Sequence, residues 1–309
     1  MINAAQYAIR LPLYLLLLAI IVFTGCQTME SVITTAATVA GSQGMIDNSQ
    51  ADTIIKHTSA VSRSFEEFTP EQEYYIGRSV AAVVLSKYSP YMNKKANDYV
   101  NIIGQTVALA SDLPETFAGY HFLILNSDEV NAFAAPGGLI FVTRGLLRCC
   151  PSEDAVAAVL AHEIGHTQNK HGLQAIKRAR ITQAFTSLAL EGAKTFGRQE
   201  LAQLTEAFEG TISDITGTMI NNGYSRSLEY DADRTAVTIL SRVGYDPHAL
   251  TEMLQMMGKR LNPKGLDFAK THPSPSSRVA KIKMYTDKYS PVLIPEARKV
   301  RFAKALANI

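Results

Sequence analysis

Residues 151–171 read PSEDAVAAVLAHEIGHTQNKH, and the rest of the chain is best read outward from them. Ser152 can cap a helix, and Glu153 and Asp154 then sit at the positive end of its dipole. Ala155 to Ala161 is small and apolar throughout, which predicts a buried helix running through His162 and His166 towards Gly172. Histidines at i and i+4 lie on one helical face, a turn apart, so both imidazoles can reach one ion. Glu163 projects beside that ion, where it can bind a water instead. Zinc lowers such a water's pKa towards neutrality, and Glu163 can accept its proton. With 7 His and 16 Glu in 309 residues, chance gives only about 0.01 such patterns. Burying two histidines and a glutamate also costs free energy unless they are paired or metallated.

A catalytic zinc needs a third protein ligand and an open position. His171 lies nine positions beyond His162, about half a turn out of phase on a straight helix. A structural role near the helix end is expected for it. Glu229, in Glu229-Tyr230-Asp231-Ala232-Asp233, is the better candidate. Glu229 and Asp233 are again i and i+4 on one face. One carboxylate can ligate while the other holds a ligand histidine through its second nitrogen. Taken alone, the same pattern would be an ordinary solvated acidic face.

Around these motifs the sequence predicts a mixed, helix-dominated chain. Thr69-Pro70-Glu71-Gln72 starts a helix towards Tyr88, with Thr69 and Gln72 forming a capping box. A second helix is expected from Lys94 to Ala110, with Tyr99, Ile102, Ile103 and Val107 on one face. Tyr120–Leu125, Asn131–Pro136 and Leu139–Thr143 read as short strands, the last two separated by Gly137-Gly138. Residues 174–224 read as amphipathic helices, too charged for a membrane span; they could form a lid or simply pack. Further helices are expected over Ser227–Val243, from Asp246-Pro247-His248 to about Arg260, and after a Pro/Ser-rich turn beginning at Thr271.

The N-terminus carries an address. Arg10 precedes an apolar run, Leu11 to Phe23, of 13 residues, which fits a signal-peptide core better than a membrane span. Phe23-Thr24-Gly25-Cys26 resembles a bacterial lipobox, in which Cys26 would be acylated; Phe23 stands where Leu, Val or Ile is usual. Gln27, not Asp, follows, which suggests outer-membrane sorting. The rival readings are a cleaved secretory signal with an incidental Cys26, leaving a soluble periplasmic protein, or an anchor in the inner membrane. The expected organisation is signal peptide 1–26, a Ser/Thr/Ala-rich tether over 27–68 with room for one helix, and a single domain over 69–309. Cys149 and Cys150 are adjacent, which is no disulfide framework; small buried residues are expected, with a strained vicinal disulfide as the rival. A net charge of +2 argues against nucleic acid as a partner.

Three ordered motifs together carry a resemblance. His162-Glu163-Ile164-Gly165-His166, then Ser227-Leu228-Glu229-Tyr230-Asp231-Ala232-Asp233, with Asn131-Ala132-Phe133-Ala134-Ala135-Pro136-Gly137-Gly138 upstream, resemble the CAAX-prenyl-protease and HtpX-like family of gluzincin metallopeptidases. The resemblance covers roughly Thr69 to Tyr285. The lipobox and charged middle suggest the periplasmic lipoprotein branch, here without a helical-repeat domain. It implies an α+β fold, a helix-dominated metallopeptidase domain with a small β-sheet beside the active-site helix. It implies one Zn2+ per chain held by His162, His166 and Glu229, with Glu163 as general base and Asp233 orienting a ligand histidine. Asn131, Ala132, Phe133 and Ala134 would form an edge strand on which an extended polypeptide substrate pairs. Thr271-His272-Pro273 with Arg278 matches a C-terminal family element. His272 could stabilise an oxyanion, block the open coordination position, or be a loop residue without a role. Arg278 could bind substrate or support the loop. The implied activity is endopeptidase action on unfolded or misassembled envelope proteins, with outer-membrane assembly proteins as partners. A latent or weakly active, chaperone-like binder on the same fold is the alternative.

Overall fold

The computed structural model describes residues 26–44, 47, 51–52, 55, 67–177, 223–260 and 272–309. The apolar run 11–23, most of 174–224 with its lid-or-packing alternatives, and Thr271 lie outside the described residues. In the unit made of Met1–Glu67 and Lys177–Leu201, the described helix is α1, Cys26–Ser42, within the segment read as a tether. Everything below concerns the other unit, Phe68–Ile176 with Ala202–Ile309.

Its elements are α2 (Pro70–Lys87), α3 (Lys94–Ala108), β1 (His121–Leu125), β2 (Ala132–Ala135), β3 (Leu139–Thr143), α4 (Arg144–Leu147), α5 (Glu153–Gln168), α6 (Arg226–Val243), α7 (Ala249–Arg260), α8 (Pro275–Thr286) and α9 (Glu296–Leu306). The fold is α+β and helix-dominated, as expected. The starts follow local chemistry. The Thr69–Gln72 capping box forms in full at α2, Asn93 caps α3, and the Ser152 side chain accepts from Ala155 N–H at α5. Gly244 closes α6 in the left-handed region.

The sheet has the order β1-β3-β2. β1 and β3 run parallel; β2 pairs antiparallel with β3, Ala132 opposite Val142 and Ala134 opposite Ile140. Among the described residues β2 pairs with no strand but β3, so its other edge is unpaired by strands. Strand alternation divides the side chains between two layers. Phe122, Ile124, Ile140, Val142, Ala132 and Ala134 face the main core with α3 and α5. Leu125 and Phe141 join Ala81 and Val84 of α2 on the other side.

Helix α5 is the centre of the molecule. It packs on α6, α3, α7 and β2, and every residue from Glu153 to Thr167 is buried. Val156, Leu160 and Ile164 are among them, and each such side chain contributes about 1.5–3 kcal/mol by leaving water. On α3 the buried set is Ala96, Tyr99, Val100, Ile103, Gly104, Val107 and Ala108. Ile102 does not belong to it: at 67 % exposed it points to solvent, and Val100 takes its place. Tyr99, Ile103 and Val107 define the stripe as expected, and Ile102 falls outside it by helical phase. No helix among the described residues is long and apolar enough to cross a membrane.

Helix α5 also stops earlier than its pattern suggests. It ends at Gln168, not near Gly172. Asn169 caps it, Lys170 takes a left-handed φ of 53°, and residues 171–177 are helical again. That break re-aims His171.

Candidate metal centre

The site forms where α5 and α6 touch. Gly165, inside the HEIGH motif, makes the contact possible. A Cβ there would stand 3.0 Å from Ala232 O and 3.3 Å from Ala232 Cα. With no side chain at that point, α6 lies against α5, and Glu229 and Asp233 come opposite His162 and His166. All four side chains are buried.

Three groups converge on one point. His162 Nε2 lies 3.1 Å from His166 Nε2 and 3.6 Å from Glu229 Oε2. His166 Nε2 lies 3.5 Å from Glu229 Oε1. A tetrahedral ion with bonds of about 2.0–2.1 Å spaces its ligands about 3.3 Å apart. Glu229 Oε1 is buried without a hydrogen-bond partner, although such an atom normally has one. An orphaned carboxylate oxygen facing two imidazole nitrogens at these separations fits a metal ion. A wider triple also exists: His162, Glu229 and His272 each offer one donor atom, all within 4.8 Å. The tighter set is preferred, because its separations match a single coordination sphere.

The surrounding groups hold these ligands. Asp233 Oδ1 lies 3.0 Å from His162 Nδ1, so the carboxylate faces the nitrogen turned away from the other ligands. Arg278 is not at the cleft surface. It is 0 % exposed, and its Nε donates to Asp233 Oδ2 at 2.9 Å while Nη2 reaches Oδ1 at 2.5 Å. Of its two expected roles, the geometry favours support by ion pairing. His272 Nδ1 sits 2.5 Å from Glu229 Oε2, so the C-terminal element does reach the site.

Electrostatics follow from burial and these contacts. Burial pushes the Glu163 carboxyl up to about 7; the His162 charge opposes this and Glu229 adds to it. For His162, burial and the Arg278 charge disfavour the proton, but hydrogen bonds to Asp233 and Glu229 outweigh them and lift it to about 9. Burial, helped by the charges of His162, His171 and His272 and opposed by Glu229, drives His166 well below its ordinary value. Burial would raise Glu229 too, yet the imidazoles of His272, His162 and His166 hold it well below the carboxylate range. Asp233 is likewise held low, chiefly by Arg278 against its burial.

The edge strand borders the site. Thr143 N–H donates to Asn131 O at 3.0 Å. By the alternation of an antiparallel ladder, Phe133 then bonds inward to β3, while the main-chain groups of Ala132 and Ala134 point to the outer edge. Asn131 is buried, and its side chain accepts from Ala132 N–H. Phe133 packs its ring on Tyr88. So the four residues expected to meet a substrate divide: Asn131 and Phe133 build the strand, while Ala132 and Ala134 turn their side chains to the core and their main chain to the edge, where Asn131 Oδ1 already takes Ala132 N–H and the Tyr224 hydroxyl lies on Ala134 O.

Two further residues border His166, and neither carries a sequence signal for that place. Tyr224 stacks on His166 with centroids 4.3 Å apart, and its hydroxyl lies 3.4 Å from Ala134 O. His171 Nδ1 lies 2.9 Å from His166 Nδ1. Tyr224 stands five residues before Glu229, outside the helical spacing that flags that motif. A straight α5 would turn His171 away; the break at Lys170 brings it back.

This combination of a His-Glu-x-x-His helix, a glutamate from α6 and a neighbouring edge strand defines a metallopeptidase class. The model of the family described as Peptidase family M48 matches residues 94–286, and the chain belongs to that family. The chain is similar to the beta-barrel assembly-enhancing protease of Escherichia coli (strain K12), 28% identical over 209 residues, covering 67% of this chain and 42% of the relative. It is 25% identical over 280 residues to the beta-barrel assembly-enhancing protease of Yersinia pestis, covering 89% and 56%. It is 26% identical over 248 residues to the mitochondrial metalloendopeptidase OMA1 of Schizosaccharomyces pombe, covering 77% and 66%. The chain thus spans about half the length of the bacterial relatives.

Proposed function

We propose that the protein is a zinc-dependent endopeptidase that hydrolyses unfolded or misassembled cell-envelope proteins. One observation carries the reading: His162 Nε2, His166 Nε2 and the Glu229 carboxylate converge at 3.1–3.6 Å, with an orphaned oxygen among them. In this reading those three residues hold one zinc per chain. Zinc, when bound, polarises the scissile carbonyl and lowers the pKa of its water. Glu163 accepts the proton of the attacking water on its carboxylate and returns it to the leaving amine. A carboxyl pushed up to about 7 suits both halves of that transfer. Asp233 accepts from His162 Nδ1 and keeps the imidazole aligned. An extended polypeptide would add as a strand along the Ala132–Ala134 edge, displacing the Tyr224 hydroxyl from Ala134 O, a mode that tolerates many side chains.

The test is casein degradation by the full chain, with and without a chelator, beside Glu163→Gln. Cleavage by the native protein alone, lost on chelation, is expected. Cleavage that persists in Glu163→Gln or in chelator would refute the mechanism.

The rival is a latent or weakly active, chaperone-like binder of outer-membrane proteins. The contact of His272 Nδ1 with Glu229 Oε2 at 2.5 Å favours it. His272→Ala separates the roles. Raised turnover means that His272 restrains the site, lost turnover means that it serves the transition state, and unchanged turnover means neither.

The proposal extends to location. Residues 1–26 act as a lipoprotein signal, Cys26 carries the lipid, 27–68 tether the peptidase domain 69–309, and the protein works on the periplasmic face of the outer membrane. The lipobox-like FTGC and the names of the bacterial relatives support this. Outer-membrane assembly proteins are the proposed partners. Cys26→Ser should move the protein out of the membrane fraction; retention there would overturn the anchor.

A further inference from the structure

His171 is 1 % exposed, and neither the ligand set nor the proton transfer uses it. Its two nitrogens bridge two groups: Nδ1 lies 2.9 Å from His166 Nδ1, and Nε2 lies 3.4 Å from Asp231 Oδ2. Two imidazole nitrogens bond only when one carries the proton and the other accepts it. His166 turns Nε2 towards His162 and Glu229, so a ligating His166 keeps its lone pair there and its proton on Nδ1. It must then donate to His171 Nδ1. His171, accepting at Nδ1, carries its proton on Nε2, which faces the Asp231 carboxylate. One arrangement of protons therefore satisfies the whole chain, from His166 through His171 to Asp231. The far end is tied down: Asn169 Nδ2 donates to Asp231 Oδ2 at 2.8 Å and to Thr235 Oγ1 at 3.0 Å, and Arg234 pairs with Asp231. The break at Lys170 is what delivers His171 to this place.

We propose that His171 is a positioning residue that fixes the tautomer and ring orientation of His166 through a relay to Asp231, and so strengthens metal binding. It does for His166 what Asp233 does for His162. The proposal rests on the reading of His166 as a zinc ligand.

The test compares zinc affinity, by competition with a chelator, and the visible spectrum of the cobalt(II) form, in the full chain. His171→Leu keeps the bulk and removes the acceptor; His171→Asn places an amide oxygen near the Nδ1 position. Zinc affinity should fall about 10- to 100-fold in His171→Leu, with an altered cobalt band. His171→Asn should stay within about threefold of the native protein and keep the native band. Unchanged affinity and band in His171→Leu, or equal losses in both variants, would overturn the proposal in favour of packing. Should His171→Leu fail to fold, Asp231→Asn and Asp231→Leu decide instead. The first keeps an acceptor for His171 Nε2–H and should bind zinc more tightly than the second; equal affinity would overturn the relay. A native protein that binds no zinc would instead refute the metal reading itself.

Discussion

At the scale of the residue, Arg278 shows how tightly this site is built. Its guanidinium is fully buried and spends Nε and Nη2 on Asp233, which also faces His162. Asp233→Ala would leave that cation without its bidentate partner. A loss of about 3–5 kcal/mol in urea unfolding is expected, together with weaker zinc binding. Asp233→Ala with Arg278→Met should recover much of the stability, since replacing both members of a buried pair is far cheaper than breaking it, but not the zinc affinity. A single variant as stable as the native protein would contradict this picture. The cysteines make a second case. Cys149 and Cys150 are free and buried, and burial pushes both thiols above their ordinary range. They should resist a thiol reagent in the native protein and react on unfolding; rapid native labelling would refute their burial. The vicinal-disulfide reading is not met, as both carry free thiols.

At the scale of the element, much was legible because it is local. The Thr69 and Ser152 caps, the i, i+4 histidines and the Glu229–Asp233 pair all act within one or two turns of a helix, where side-chain spacing follows from chain geometry. What escaped depends on where a turn sends the chain. Lys170 enters the left-handed region without a glycine or proline to announce it, so His171 could not be placed from helical phase. Tyr224 meets His166 through packing between segments far apart in sequence. Gly165 carries the element-scale prediction. Gly165→Ala puts a methyl 3.0 Å from Ala232 O, backbone that cannot move aside as a flexible side chain would. Helices α5 and α6 must separate, so stability should fall by about 1–3 kcal/mol. Zinc affinity should fall with it, since the ligands sit on both helices. Native affinity in Gly165→Ala would contradict the close approach. Helix α9 matters in the same way. Its Arg298 pairs with Asp154 at 3.1 Å and its Arg301 holds both oxygens of Glu153, two buried acids at the start of α5. Arg298→Ala should destabilise the protein by up to about 3 kcal/mol in urea unfolding, because Asp154 stays buried.

At the scale of the molecule, the centre of the fold and the proposed centre of the chemistry coincide in α5, which is buried from Glu153 to Thr167. Its burial among α3, α6, α7 and β2 holds the histidines still, while β2, among the described residues, has no strand on its outer edge. Metal and fold should therefore be linked. Zinc at a hundredfold excess over its dissociation constant should add about 2.7 kcal/mol of stability, and a chelator should remove it. The most direct measurement is elemental analysis of zinc in the purified full chain beside Glu229→Ala. One zinc per native chain, with less than about a tenth of that in the variant, is the predicted result. A native protein without zinc, or a variant that binds as much, would contradict the account.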